Sequence, residues 1–507
     1  MGVLILTGDT GELGASSTSR SGRTSASGWS RRDVLRMGLT GASALAIGGL
    51  GGFAIGRATA PAVTTPHPSG ELVAAGSGTP VFPMGIAPDG RSFVDASGRP
   101  FYYLADTAWN ALSRMTNEAF ETLATSRRER GFTALQLSVL DFEPSADNAY
   151  GHKPFAATGA VDQPMVAPDN QDYWGTVDRS LDVCERLGLV VCLVPSWYGG
   201  WGDAWRGYLT PENAAAYSSF LAERFGGRNN LWWLLGGDNA PTNEGNDVQG
   251  VPGDLDRGPR VEHTIAMGRI LADESAVKPL MSYHTSRTET VEDNFGTEPW
   301  YQISAAYSAA DPIPFVSAEY ERQTVRPVVL WEAYYDERTR DPILDRRALR
   351  AQAYQALLSG AAGFAYGHEQ VWPVLEDWVA ALDAPSARDM EIFSTIARTV
   401  ADGALAPVSD ATGTMGLLPD GYGTAGAPSV VTAALLPDGR GALAYFGETR
   451  ASVVIDTTVI DPAATFAISW IDPATGEKFF FGEDRTGTDI EVSWPSSWPD
   501  AVLVVER

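Results

Sequence analysis

Leu231-Trp232-Trp233-Leu234-Leu235-Gly236-Gly237-Asp238-Asn239 is the stretch on which the fold turns. Five apolar residues in a row suit a short strand buried on both faces; the glycine pair then stops the run, and a carboxylate and an amide follow at once. Pro211–Phe225 upstream and Val261–Glu274 downstream both have amphipathic helical spacing. The alternation continues outward in both directions. Further apolar runs fall at Phe101–Ala105, Ala134–Val139, Val190–Val194, Leu280–Tyr283, Tyr301–Ala305, Val328–Glu332 and Gly363–Tyr366, with helical patterns at Asn117–Arg130, Tyr173–Leu187 and Arg346–Ser359. Eight runs joined by helices predict an α/β fold, a parallel (β/α)8 TIM barrel over residues 81–411. The sixth helix has the poorest pattern, because Ala309–Gln323 is short and broken by Pro312 and Pro314.

After a last helical stretch, Ala387–Ala401, the period changes from helical to alternating. Short runs such as Val430–Leu436, Ala442–Phe446, Thr465–Trp470 and Ala501–Val505, separated by turns like Pro437-Asp438-Gly439, predict a small β-sandwich over 412–507. At the other end, Ser30-Arg31-Arg32-Asp33-Val34-Leu35-Arg36 precedes the mildly apolar Met37–Ile55, an order that resembles a twin-arginine export signal over residues 1–60. The expectation is a secreted or cell-envelope protein handled by the twin-arginine machinery. Retention as a membrane anchor stays open, because Pro61 directly follows the Ala58-Thr59-Ala60 site. Residues 61–80, rich in Pro, Thr, Gly and Ala, read as a linker.

Composition bounds the function. The 507 residues carry 63 acids against 37 Lys and Arg, a formal charge of −26, which repels nucleic acid. Residues 1–60 hold six Arg and three acids, so the remainder stands at −29. The two cysteines, Cys184 and Cys192, cannot form a disulfide framework and read as buried free thiols. The five His are dispersed in no metal-binding spacing, and no G-x-S-x-G elbow or Walker loop occurs. The acidic loop Asn243–Asp256 offers oxygen ligands for Ca²⁺ but lacks EF-hand spacing, so no metal or cofactor is expected.

In such barrels the chemistry sits at the C-terminal strand ends. Those ends read Asp106-Thr107-Ala108-Trp109, Asp141-Phe142, Ser196-Trp197-Tyr198, Gly237-Asp238-Asn239, Tyr283-His284, Gln302 with Ser304, Glu332-Ala333-Tyr334-Tyr335 and His368-Glu369. Rings stack on sugar faces, while carboxylates and amides bind hydroxyls. The mouth therefore reads as a carbohydrate site, with Trp232 and Trp233 also open to a core role and the Trp197–Trp205 segment read as a loop. Glycoside hydrolysis needs two carboxyl groups, and Asp238 with Glu332 form the best pair. Each has a structural alternative: Asp238 as a helix or turn cap, Glu332 in a buried ion pair. Asp106, Trp109, Trp197, His284, Gln302 and Tyr334 are the expected substrate contacts, and His368 at its strand end is read the same way.

Asp106-Thr107-Ala108-Trp109, Gly131-Phe132-Thr133, Asn148-Ala149-Tyr150-Gly151, Trp232 to Asp238, Trp331-Glu332-Ala333-Tyr334-Tyr335 and Gly360 to Gly367 together resemble the apiosidase-like glycoside hydrolases over about residues 84–505. The resemblance implies a barrel with a C-terminal β-domain to which collagen binding is ascribed in the family. It also implies an acid/base Asp after strand four, here Asp238, and a nucleophilic Glu after strand seven, here Glu332. Where the family more often has Tyr-Glu after strand seven, this chain has Tyr335-Asp336, and with the long loop Asn239–Arg257 this leaves the sugar open. The reading is an exported, retaining hydrolase of plant or microbial polysaccharide or oligosaccharide; the alternative is a non-catalytic glycan- or matrix-binding protein.

Overall fold

The computed structural model describes residues 68–71, 78–244, 256, 258–287, 289–308, 311–339, 344–408, 416–423, 427 and 429–507. The export segment and most of the acidic loop 243–256 lie outside the described residues. No described helix is long and apolar enough to cross a membrane.

Eight parallel strands form the barrel: β1 (Tyr103–Thr107), β2 (Ala134–Ser138), β3 (Val190–Val194), β4 (Leu231–Gly236), β5 (Leu280–His284), β6 (Ser304–Tyr307), β7 (Val328–Glu332) and β8 (Ala361–Tyr366). The hydrogen-bonded order runs from β6 through β7, β8 and β1 to β5. The gap between β5 and β6 is bridged by Gln302, whose backbone N–H donates to Met281 O at 3.1 Å while its side-chain oxygen accepts from Met281 N–H at 3.2 Å. Tyr173–Leu187, Pro211–Phe225 and Val261–Glu274 are helices with the expected bounds, and the weak sixth helix is the short Ile313–Tyr320. Asp172, Thr210 and Asp345 cap their helices by accepting N–H groups of the first turn.

Two strands start later than their apolar runs suggest. β1 begins at Tyr103 rather than Phe101, and β6 at Ser304 rather than Tyr301. The Tyr301 ring is buried in the core, where its hydroxyl accepts the Ala305 N–H at 3.0 Å. Side chains alternate faces along a strand, so such shifts decide which residues reach the mouth. Inside the barrel Tyr103 stacks on Trp232 at 5.1 Å and meets Trp331 edge-on at 5.5 Å. Phe93, from a small three-stranded sheet (Gly85–Ile86, Phe93–Val94, Pro100–Phe101), packs on Trp232 at 4.9 Å and closes the N-terminal end. Cys184 and Cys192 are buried and free, and burial pushes both thiols up to about 12.

The C-terminal region is two antiparallel sheets. The larger, in order, contains Pro68–Glu71, Glu477–Arg485, Phe466–Ile471, Ala501–Glu506, Gly441–Phe446, Val431–Leu435 and Ala406–Val408; Ser452–Ile455 pairs with Ile490–Ser493 in the smaller. Alternation along the large sheet splits its side chains between two cores. Leu443, Tyr445, Val502 and Val504 pack with Tyr354, Leu357 and Phe393 of the barrel helices, while Ala444, Phe446, Leu503 and Trp470 pack with Val453, Ile455 and Val492 beneath the smaller sheet. The sheet is thus a shared layer. It begins at Ala406, ahead of the expected boundary at 412, and recruits Pro68–Glu71 from the expected linker.

Candidate active site

At the end of β4 the chain turns sharply. Gly236 and Gly237 take φ of +85° and +137°, and a Cβ on Gly237 would fall 2.5 Å from the Trp197 ring. Only glycine allows the backbone to pass so close beneath that ring. Asp238 follows at φ +48°, a left-handed conformation that costs a non-glycine residue of order 1–3 kcal/mol. The turn aims its carboxyl across the mouth toward Glu332 at the end of β7. Atoms of Asp238, His284 and Glu332 lie within 4.8 Å of one another.

The pair and the groups around it come from the ends of four strands, β4 to β7. His284 Nδ1 accepts the Asp238 N–H at 3.2 Å, and its Nε2 lies 3.1 Å from Glu332 Oε2. The Tyr307 hydroxyl, at the end of β6, donates to Glu332 Oε1 at 3.0 Å and is approached by Arg287 Nε at 3.3 Å. Burial first, and then the charge of Glu332, raise the Asp238 carboxyl, against the opposing effects of His284, the Tyr307 hydrogen bond and Arg287, to about 6. Glu332 thus holds two ordered neighbours, while Asp238 is poised to keep a proton near neutral pH. A carboxylate–imidazole–carboxylate trio at this spacing could also hold a divalent cation. The hydroxyl donated to Glu332 and the guanidinium behind it are instead the surroundings of a carboxylate that acts directly.

A narrow, open cleft lies over these groups. Trp109, Trp197, Phe142 and Trp372 form an aromatic wall, with Phe142 5.1 Å from Trp197 and 5.9 Å from Trp372. Arg287, Arg338 and Tyr335 complete the lining. Tyr335 is fixed by a 2.8 Å hydrogen bond from Trp109 Nε1.

Of the eight expected site residues, Asp238, Glu332, Trp109 and Trp197 line the cleft, and His284 lies buried against both carboxylates. Three expected contacts take other places. Asp106 falls inside β1 on the outward face shared with Leu104 and forms a fully buried ion pair with Arg127. Gln302 lies at the start of β6 and closes the barrel seam, because the strand begins later than its apolar run. Tyr334 sits beneath the cleft as a platform, with Arg338 4.3 Å and Arg287 5.5 Å from its ring centre. His368 is buried as well, its Nδ1 accepting the Gln370 N–H. The Trp197–Trp205 segment continues into a 3-10 helix, Gly200–Tyr208, in which Trp205 is buried and donates to Asp141 O.

Sequence reasoning missed Tyr307, Arg287, Arg338, Phe142 as a wall residue, and Trp372. Tyr307 was hidden by the register of β6, whereas Arg287, three residues past His284, was open to reading as a strand-end residue. Arg338 lies deep in a connecting segment and carries no local signal.

Two carboxylates facing one another across an aromatic mouth, at the C-terminal end of a (β/α)8 barrel, are the apparatus of a glycosidase. The family model of the apiosidase-like catalytic domain matches residues 87–401, and the chain belongs to that family; it is a glycoside hydrolase acting on carbohydrate. A glycoside hydrolase family 5 structure from Bacteroides vulgatus ATCC 8482 is similar, with a TM-score of 0.72, 19% identity, and 83% of this chain and 93% of that one covered. A second structure, described as a glycoside hydrolase, has a TM-score of 0.71 at 20% identity and covers 85% of this chain and 97% of that one. At such identity these likenesses speak to the fold alone. No protein among the curated ones matches the chain.

Proposed function

We propose that the protein is an exported, retaining glycoside hydrolase of plant or microbial glycans, with Asp238 as general acid/base and Glu332 as nucleophile. The observation that carries this reading is the juxtaposition of the two carboxyls, with oxygens within 4.8 Å. That spacing supports direct attack on the anomeric carbon, as in retaining enzymes with carboxyls about 5–5.5 Å apart, over the wider separation of about 6.5–9.5 Å in inverting ones. Protonated, Asp238 hands its proton to the leaving oxygen while Glu332 attacks. As a carboxylate it then activates the water that releases the sugar. A non-catalytic glycan-binding protein would have no use for a carboxyl held near 6 beside a second carboxylate.

The same cleft favours a glycan that carries a carboxylate or sulfate. Arg338 is only 8% exposed, and its Nε has no hydrogen-bond partner; with Arg287 it puts two guanidinium groups beside the reacting pair. The test is release of sugar from acidic and neutral cell-wall polysaccharides, with the anomer of the first product read by NMR. Retention of configuration and loss of release in Glu332→Gln are expected. An inverted first product, or undiminished release by that variant, would overturn the assignment. Export rests on the Arg31-Arg32 segment, so replacing both by Lys is expected to hold the enzyme in the cytoplasm, as fractionation would show.

A further inference from the structure

The end of the barrel opposite the active site holds a second cleft, about 870 Å³ in volume. Its wall is built from Pro100, Phe101 and Tyr102 ahead of β1, Thr133 ahead of β2, and the two helices Asn117–Glu129 and Pro385–Thr399, which contribute Arg128 and Arg398. The charges there are arranged unlike those elsewhere in this acidic chain. Asp95 is already held by Arg99 at 2.6 Å, and Asp402 by Arg440 at 2.6 Å. Among the described residues Arg128 and Arg398 have no carboxylate partner, and the one hydrogen bond of Arg398 there goes to the Ser394 carbonyl in its own helix. Burial lowers both guanidinium groups from their ordinary value, and the charge of Arg128 lowers Arg398 further. Tyr102, 8% exposed, contributes to the same wall, with its ring packed on Phe393 at 5.7 Å.

Two half-buried cations that repel each other are costly in a chain of net charge −26, which has acids to spare for pairing. We infer that Arg128 and Arg398 form a binding site for a small oxyanion, such as a carboxylate, sulfate or phosphate group, received on their forked donors. This site stands apart from the catalytic cleft and does not depend on the reading of Asp238 and Glu332.

The test uses the purified full chain at fixed ionic strength, with chloride replaced by sulfate, by inorganic phosphate, or by glucuronate. Saturation with a binding anion is expected to raise the melting temperature by about 2–5 °C over chloride. Calorimetric titration would rank the three, separating a tetrahedral oxyanion from a sugar carboxylate as the natural ligand class. Arg128→Gln and Arg398→Gln should each weaken binding at least tenfold, and Arg398→Lys, which keeps the charge but not the fork, by a few-fold. Sugar release from glycan should be unaffected. Equal melting in all four salts, or anion binding that survives both Gln variants, would overturn the inference.

Discussion

Two buried sets of charges in this molecule obey opposite rules. Where the barrel meets the large sheet, Arg350 donates to Asp500 at 2.8 Å and to Asp389 at 3.3 Å, Arg346 donates to Asp389 at 2.9 Å, and the Tyr445 hydroxyl donates to Asp500 at 2.9 Å. Each acid there faces a guanidinium. At the mouth, Asp238 faces Glu332, neither carboxyl is ion-paired to an arginine among the described residues, and Arg287 bonds to Tyr307 beside them. A matched set holds parts together, whereas a mismatched set stores the proton affinity that catalysis needs. The pairing of Asp106 with Arg127 belongs to the first kind, which is why that carboxylate stays out of the mouth.

The contrast can be broken from either side. Deleting residues 412–507 is expected to leave no soluble barrel, since it bares Tyr354, Leu357 and Phe393 and strips Arg350 of Asp500; each such apolar side chain is worth about 1.5–3 kcal/mol of burial. A soluble, active remainder would show the sheet to be dispensable. Glu332→Gln should lower kcat about 10⁴-fold, and Asp238→Asn about 10²–10⁴-fold, with melting temperatures no lower than that of the parent. Asp238→Asn should also remove a basic limb of the kcat/KM profile near pH 6, because the acid must be protonated to act.

At the junction, Asp500→Asn should cost about 3–5 kcal/mol in urea unfolding by leaving Arg350 buried with less charge to meet it, while kcat of the folded enzyme holds within about twofold. The smallest effect tests the mouth again. Asp238 stands at about 6 against an ordinary 3.8, so the folded chain holds its proton more tightly than the unfolded one does. The stability this contributes is complete below about pH 4 and is lost as pH rises through 6. Asp238→Asn is therefore expected to stabilise the protein by about 1–3 kcal/mol at pH 7–8 and to have little effect at pH 4. Equal effects at both pH values would show that Asp238 is an ordinary surface acid.

Much of the architecture could be read from local pattern. Runs such as Val190–Val194 and Leu231–Leu235 are apolar on both faces because parallel strands are covered on both, and of the three middle helices Tyr173–Leu187 and Pro211–Phe225 begin at side-chain caps, Asp172 and Thr210. The two packed sheets were legible as a sandwich, but alternation in Gly441–Phe446 says only that two faces differ, and did not tell that the outer face of the large sheet is buried too, under barrel helices. At the site, the glycine turn announced Asp238 and the strand end announced Glu332. Tyr307 and Arg338 carried no comparable mark, since their position depends on where a strand starts and on how a connecting segment folds back.

The amino-acid sequence by itself determined the eight-strand barrel, its trailing β-region and the two carboxyls that emerge from it, because these follow from periodicity and turn chemistry within a few residues of each position. Tertiary structure alone decided which side chains share the mouth and which lie behind it. A shift of two or three residues in β1 and β6 placed Asp106 against Arg127 and Tyr307 against Glu332. The raised proton affinity of Asp238 likewise depends on groups from β4, β5, β6 and β7 that are distant in the chain and meet only when the barrel closes, since a charge responds to neighbours through space.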